Sequence, residues 1–209
     1  MHVVDVTLFY GREAGGVKTY LHAEHRCFEG LKQVRHTMVV PHGSDLRYDR
    51  ATIGITSIPF PFAPGYRLPV GRAAPLLREL KPGVIEVGDA SYRAWKALQV
   101  GRELKILVVE FYHSDLPRIL GRRLGSAAAR LVGRYVKHLY GQFDLVIAPS
   151  RTATRTLRDL GINSVHYQPL GVDTAAFNPE RRDLNLRREL GGGGVNRPKH
   201  RHIGGAGES

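Results

Sequence analysis

Seven short apolar runs alternate with amphipathic stretches along the chain. The runs are His2–Tyr10, Gln33–Val40, Ile53–Ile58, Gly83–Val87, Lys105–Val109, Asp144–Ala148 and Val165–Gln168. Several lack the in-and-out alternation of a sheet wetted on one side, so they predict strands buried on both faces. Between them, Gly16–Gly30, Val70–Leu80, Tyr92–Glu103, Leu116–Tyr140 and Thr152–Leu160 carry helical periodicity. Strand-helix alternation of this kind predicts an α/β fold, a Rossmann-like, doubly wound and mostly parallel sheet with right-handed crossovers. Ligands of such sheets sit beyond the carboxyl ends of the strands. The loops that follow the apolar runs are therefore where chemistry is expected.

Composition narrows the partners. The chain has 209 residues, 42% of them hydrophobic, and a formal charge of +12. One domain of this size buries about 70% of the surface it exposes when unfolded. The basic balance predicts attraction to a polyanion, whether nucleic acid, an anionic lipid surface or a phosphorylated small molecule. Cys27 is the sole cysteine, which excludes an intrachain disulfide and a thiolate zinc site and fits a cytoplasmic compartment. The start, Met1-His2-Val3-Val4-Asp5, lacks a basic n-region, and no apolar run approaches the ~20 residues of a membrane span.

Composition changes again from Gly191 to the C-terminus, where glycine and basic residues replace large apolar side chains. That tail is expected to be disordered. The segment Pro59–Gly65 is proline punctuation with aromatics, readable as a mobile loop at the ligand edge or as a stiff turn.

The first loop suits phosphate. Gly15 and Gly16 stand between the first strand run and the first helical pattern. Paired glycines there allow close approach of a ligand to the backbone, and the helix N-terminus favours an anion such as a diphosphate. The alternative is a tight strand-to-helix turn with no ligand. The loop is neither Gly-x-Gly-x-x-Gly nor a P-loop, which disfavours a dinucleotide-dependent dehydrogenase or an NTPase.

His113 follows the Lys105–Val109 run and precedes a helix that Ser114 or Asp115 can cap, with Pro117 in its first turn. It is a candidate for contact with substrate or a satisfied hydrogen-bonding residue. Glu86 and Asp89 close the preceding strand, where they could hold sugar hydroxyls or cap the next helix. Within Leu116–Tyr140, Leu116, Leu120, Leu124, Ala127, Leu131, Tyr135 and Leu139 form one apolar stripe, and Arg118, Arg122, Arg130, Arg134 and Lys137 fall on another face. Such a helix could cover the sheet, lie on an anionic membrane, or do both with different faces.

Metal signals are weak. His22 and His25 are three apart, which matches neither zincin spacing, and a solvated helix face is expected. There is no Asp-x-Asp pair to clamp a metal on a sugar nucleotide, so no metal is expected at a diphosphate. There is no serine elbow either, and no aromatic stacking motif supports nucleic acid as the partner.

Taken in order, Asp5–Gly11 with Gly15-Gly16-Val17, Phe111-Tyr112-His113-Ser114-Asp115, Asp144–Ser150, and Pro169-Leu170-Gly171-Val172-Asp173 with Phe177-Asn178-Pro179 resemble the N-terminal domain of family 4 glycosyltransferases. The resemblance covers about Met1 to Leu190. It implies the N-terminal half of a GT-B enzyme, in which this domain binds the acceptor and a second Rossmann-like domain holds most of a nucleoside-diphosphate sugar. It also implies hexosyl transfer with retention, with neither cofactor nor bound metal. By resemblance, Gly15 and Gly16 approach the donor diphosphate and His113 contacts the transferred sugar.

The family's second domain carries two glutamates eight apart, and nothing after Leu190 matches them. Thirty residues follow Pro179, whereas a second domain needs roughly 100. The expected organisation is thus a domain over 1–170, a linker over 171–190 and a tail over 191–209. A frameshift, an early stop or a misplaced gene boundary is expected to have ended the chain. It is then inactive alone, or completed by a separate polypeptide. The competing expectation is a basic, non-catalytic module that binds anionic lipid or nucleic acid.

Overall fold

A computed structural model describes residues 1–10, 15–42, 51–59, 67–70 and 72–190. Most of the proline-rich segment and the tail from Gly191 lie outside these residues. Contacts divide the chain into two units, 1–170 and 171–209. The first holds one sheet.

Its strands are β1 (His2–Val6), β2 (Arg35–His42), β3 (Thr52–Pro59), β4 (Arg67–Pro69), β5 (Val84–Val87), β6 (Leu107–Phe111), β7 (Leu145–Ala148) and β8 (Val165–Tyr167). They lie in the order β4-β3-β2-β1-β5-β6-β7-β8. Every pairing is parallel except β3 with β4, which is antiparallel and sits at the edge, where Pro69 removes no interior ladder bond. The order reverses at β1, so the central switch point opens between the loops that follow β1 and β5. All five residues of β1 are buried, as a central parallel strand requires.

The helices are α1 (Gly16–Glu29), α2 (Ala73–Leu80), α3 (Tyr92–Leu104), α4 (Leu116–Leu124), α5 (Ser126–Tyr140), α6 (Arg151–Asp159) and α7 (Leu184–Glu189). Side chains alternate across a strand, and the two faces of this sheet differ in chemistry. Val4, Val6, Val39, Ile85 and Val87 pack with Leu77, Leu98, Val136, Leu139 and Leu157 of α2, α3, α5 and α6 into the main core. Met38 and Val40 pack with Tyr10, which follows β1, and with Leu21 of α1 into a smaller cluster. The α1 face also carries Asp5, His36 and Glu86.

The long helix expected over Leu116–Tyr140 is two helices. Gly125, at φ 87° and ψ 176°, breaks it in a conformation that L side chains rarely adopt. α4 and α5 then fold against each other so closely that a Cβ on Gly121 would lie 2.8 Å from the Cβ of Ala129. The apolar stripe does not pack as one face. Val136, Leu139 and Tyr140 reach the core, while Leu124 and Leu131 are each 69% exposed and Tyr135 is half out. A helix broken by a glycine turn cannot keep one continuous stripe over both halves.

In the second unit, Asn178 caps a single 3-10 turn at Pro179–Arg181 and Asp183 caps α7. The side chain of Asp183 accepts from the amides of Asn185 and Leu186.

Candidate functional site

The loops after β1, β5 and β6 converge on a small cleft lined by Phe9, Gly88, Asp89, His113, Ser114 and Leu116. His113 leaves β6 two residues past its end. Its ring stacks on Phe111, 4.5 Å between centroids and 25° between planes, and meets Tyr20 of α1 edge-on at 5.2 Å. A Cβ on Gly88 would lie 3.1 Å from both the Cδ2 of His113 and the Oγ1 of Thr7, so the absent side chain lets the β5 loop pass. Burial between aromatic rings lowers the pKa of His113 from 6.5 to about 4. At neutral pH the imidazole is uncharged and can donate from one nitrogen and accept at the other. It is a neutral hydrogen-bonding group, not a cation.

Gly15 caps α1 with extended backbone, φ −79° and ψ 176°, and its carbonyl accepts from Lys18 N at 3.1 Å. Any residue adopts that conformation. A Cβ on Gly15 or on Gly16 would meet nothing within 4 Å among the described residues. Neither the local backbone nor packing against the described residues requires glycine here, at a helix N-terminus where an anion is favoured. α1 also brings Tyr20, about one turn further on, against His113.

Asp89 and Glu86 are engaged inside the protein. The carboxylate of Asp89 accepts from Leu8 N at 2.6 Å and from Ser91 N at 3.0 Å, joining the β1 loop to the β5 loop. It does not cap α3. That position belongs to Ser91, whose Oγ accepts from Arg93 N. Glu86 lies under α1, outside the cleft lining, and accepts from Tyr20 OH at 3.0 Å. Burial, with Asp5 and Glu24 nearby, raises its pKa well above the usual carboxylate range. Of the expected site residues, the cleft thus collects His113 and Asp89, with α1 and its Gly15-Gly16 entrance linked to it through Tyr20.

Several groups on the α1 face escaped the sequence reading. Asp5 of β1, Glu24 of α1 and His36 of β2 each offer one ligand atom within 4.8 Å of the others. His36 Nε2 lies 2.6 Å from Asp5 Oδ2, and its Nδ1 lies 3.1 Å from Nδ1 of His25. Burial raises the pKa of both Asp5 and Glu24. His22 and His25, expected on a solvated face, are half-buried, His22 Nε2 standing 3.0 Å from Tyr10 OH. The signal that could have found this cluster was an acid inside each of two central strand runs, Asp5 and Glu86.

The expected basic face is present but divided. Arg118 and Arg122 stand on α4, and Arg130, Arg134 and Lys137 stand on α5, all exposed. They flank the exposed Leu124 and Leu131.

A doubly wound, mostly parallel sheet with a paired-glycine helix N-terminus and a neutral histidine at its carboxyl edge places the chain in the Rossmann-like α/β class. The sequence profile of Glycosyltransferase Family 4 matches residues 14–176, and the chain belongs to that family. Among its relatives is the GDP-mannose-dependent alpha-(1-6)-phosphatidylinositol dimannoside mannosyltransferase of Mycobacterium tuberculosis, 28% identical over 204 residues that cover 90% of this chain and 50% of the relative. The sulfoquinovosyl transferase SQD2 of Arabidopsis thaliana is 25% identical over 75% of this chain and 32% of its own length. In fold, HepE of Anabaena, solved in complex with UDP, superposes with a TM-score of 0.60 at 16% identity, over 91% of this chain and 50% of HepE. The fold is that of the N-terminal half of GT-B glycosyltransferases. The chain spans about half the length of the curated mannosyltransferase it matches.

Proposed function

We propose that this chain is the acceptor-side half of a retaining hexosyltransferase that moves a sugar from a nucleoside-diphosphate sugar to a hydroxyl acceptor, with no cofactor and no metal at the diphosphate. The observation that carries the reading is the Gly15-Gly16 entrance, where neither described packing nor local backbone calls for glycine. In the completed enzyme the diphosphate would lie over these two residues. His113 would hydrogen-bond the sugar beside the reaction centre, its ring fixed by Phe111 and Tyr20. Closure of a second, donor-holding half over these groups would exclude water and set the acceptor hydroxyl against the anomeric carbon.

GDP-mannose, named for the mycobacterial relatives, is the first donor to test. Calorimetric titration of the chain with GDP-mannose should show weak, saturable binding. Gly16→Ala should weaken it at least tenfold while the melting temperature stays the same. Equal binding by the variant would refute the role of the entrance. The chain alone should transfer no sugar, and robust turnover would refute the need for a second half.

A peripheral place on the cytoplasmic face of a membrane fits the α4–α5 hairpin, in which Leu124 and Leu131 stand exposed among Arg118, Arg122, Arg130 and Arg134. Among the described residues no helix is long and apolar enough to cross a bilayer, so the contact would be superficial. Flotation with phosphatidylglycerol vesicles should retain the chain and lose it with Leu124→Ser/Leu131→Ser. Retention on duplex DNA with steep salt dependence would favour the nucleic-acid-binding alternative.

A further inference from the structure

Beneath α1 the sheet carries an unusual density of carboxyl groups. Asp5, Glu24 and Glu86 come from β1, α1 and β5 and influence one another electrostatically. Asp5 is 2% exposed, and neither its Oδ1 nor Glu24 Oε2 meets an N–H or hydroxyl donor, so the two carboxyl groups face each other with at most a shared proton between them. A buried, unpartnered carboxylate oxygen costs on the order of 1–3 kcal/mol or more. The buried imidazole of His36, 2.6 Å from Asp5, carries at most one positive charge when protonated.

We propose that Asp5, Glu24 and His36 form a binding site for a divalent transition-metal ion of the zinc type, which clamps α1 to β1 and β2. Two carboxylates and one imidazole suit such an ion in both charge and softness. The two negative charges balance the metal's two positive ones, leaving a neutral site under the helix. Bond lengths of about 2.0–2.2 Å in a tetrahedral site hold two ligand atoms about 3.3–3.6 Å apart. The present separations, within 4.8 Å, close to that range when the widest pair draws together by roughly 1 to 1.5 Å through side-chain rotation.

The surroundings are those of a metal-bound histidine. With His36 Nε2 on the metal, its Nδ1 carries the proton and donates to His25 Nδ1, 3.1 Å away. His25 Nε2 in turn lies 3.6 Å from Glu29 Oε1. A carboxylate and a second group behind the ligating ring fix its tautomer and orientation. Entry is short, because His36 lines a surface pocket together with His25, Glu29 and Arg35. The site is separate from the cleft around His113, and its ion would hold the helix whose first residues form the Gly15-Gly16 entrance.

The test is titration of the metal-stripped full chain with Zn2+ and Co2+, followed by calorimetry, the visible Co2+ spectrum and thermal melting. His200 and His202 in the tail are a competing site, so His200→Ala/His202→Ala is the reference protein. One equivalent should bind the reference and raise its melting temperature. Glu24→Gln and His36→Gln should each weaken binding at least tenfold. No saturable binding to the reference protein, or binding unchanged in Glu24→Gln, overturns the proposal and leaves protons as the groups that neutralise the carboxylates. Should both variants fail to fold, X-ray absorption of the zinc-loaded reference protein decides. One imidazole with oxygen ligands supports the site, and two or more imidazoles overturn it. None of these readouts depends on sugar transfer, so the site can stand or fall apart from the glycosyltransferase reading.

Discussion

Replacing His113 by Gln separates the environment of that ring from everything else that titrates. Folded, the imidazole sits between Phe111 and Tyr20 and ionises near pH 4, against 6.5 for the free side chain. Because the folded pKa of this base is depressed, the unfolded chain takes up a proton first as pH falls. The wild type therefore holds this contribution in full above about pH 6.5, loses it progressively between about 6.5 and 4, and loses no more of it below. The gap of about 2.5 pH units, at 1.36 kcal/mol each, sets an upper limit of about 3 kcal/mol. Urea unfolding of wild type and His113→Gln at pH 7.5 and pH 4.5 reads the difference, since other titrating groups cancel between the two proteins. The stability gap between them should shift by about 2 to 3 kcal/mol in favour of the variant at pH 4.5. Curves that stay parallel within about 0.5 kcal/mol would mean that His113 is charged or solvated when folded, and the neutral hydrogen-bonding role would fail.

Three further outcomes follow from packing and burial. Gly101→Ala places a Cβ 2.1 Å from Cγ2 of Val108. The clash should outweigh the gain in helix propensity and lower stability by about 1–2 kcal/mol, measured by chemical denaturation, with Val108→Ala in the same chain recovering part of the loss. Gly125→Ala forces a Cβ onto φ 87° and should cost about 1–3 kcal/mol, seen as a lower melting temperature; an unchanged value would mean that α4 and α5 can be joined without the turn. Glu110 is 0% exposed, and burial raises its pKa well above the usual range. Its unfolded form loses a proton first as pH rises, so Glu110→Gln should gain on the wild type between pH 5 and pH 8 in urea unfolding. A variant that loses ground over that window would show that Glu110 is ionised in the fold.

The legibility of this chain can be traced to particular residues. β1 and β5 were readable because Val3, Val4, Val6, Ile85 and Val87 leave no wet face. α3 was readable from its period, with Ser91 rather than Asp89 ending up as its cap because Asp89 is drawn to Leu8 N. The Leu116–Tyr140 stripe misled, because period alone does not register a glycine that turns the chain back on itself. Gly15, Gly16 and His113 were legible as types at loop positions, but that no described residue would meet a side chain on the first two and that aromatic rings enclose the third is decided by neighbours distant in sequence.

The sequence by itself determined the alternation of strands and helices, the parallel sheet and the family, because each depends on local periodicity or on short runs of residues. Only the tertiary structure decided which acids meet. Asp5, Glu24 and His36 are up to 31 positions apart in the chain, and what unites them is the register of β1 against β2 beneath α1. Charge in a buried site is set by what surrounds it in space, and adjacency in space is the one property a linear pattern does not carry.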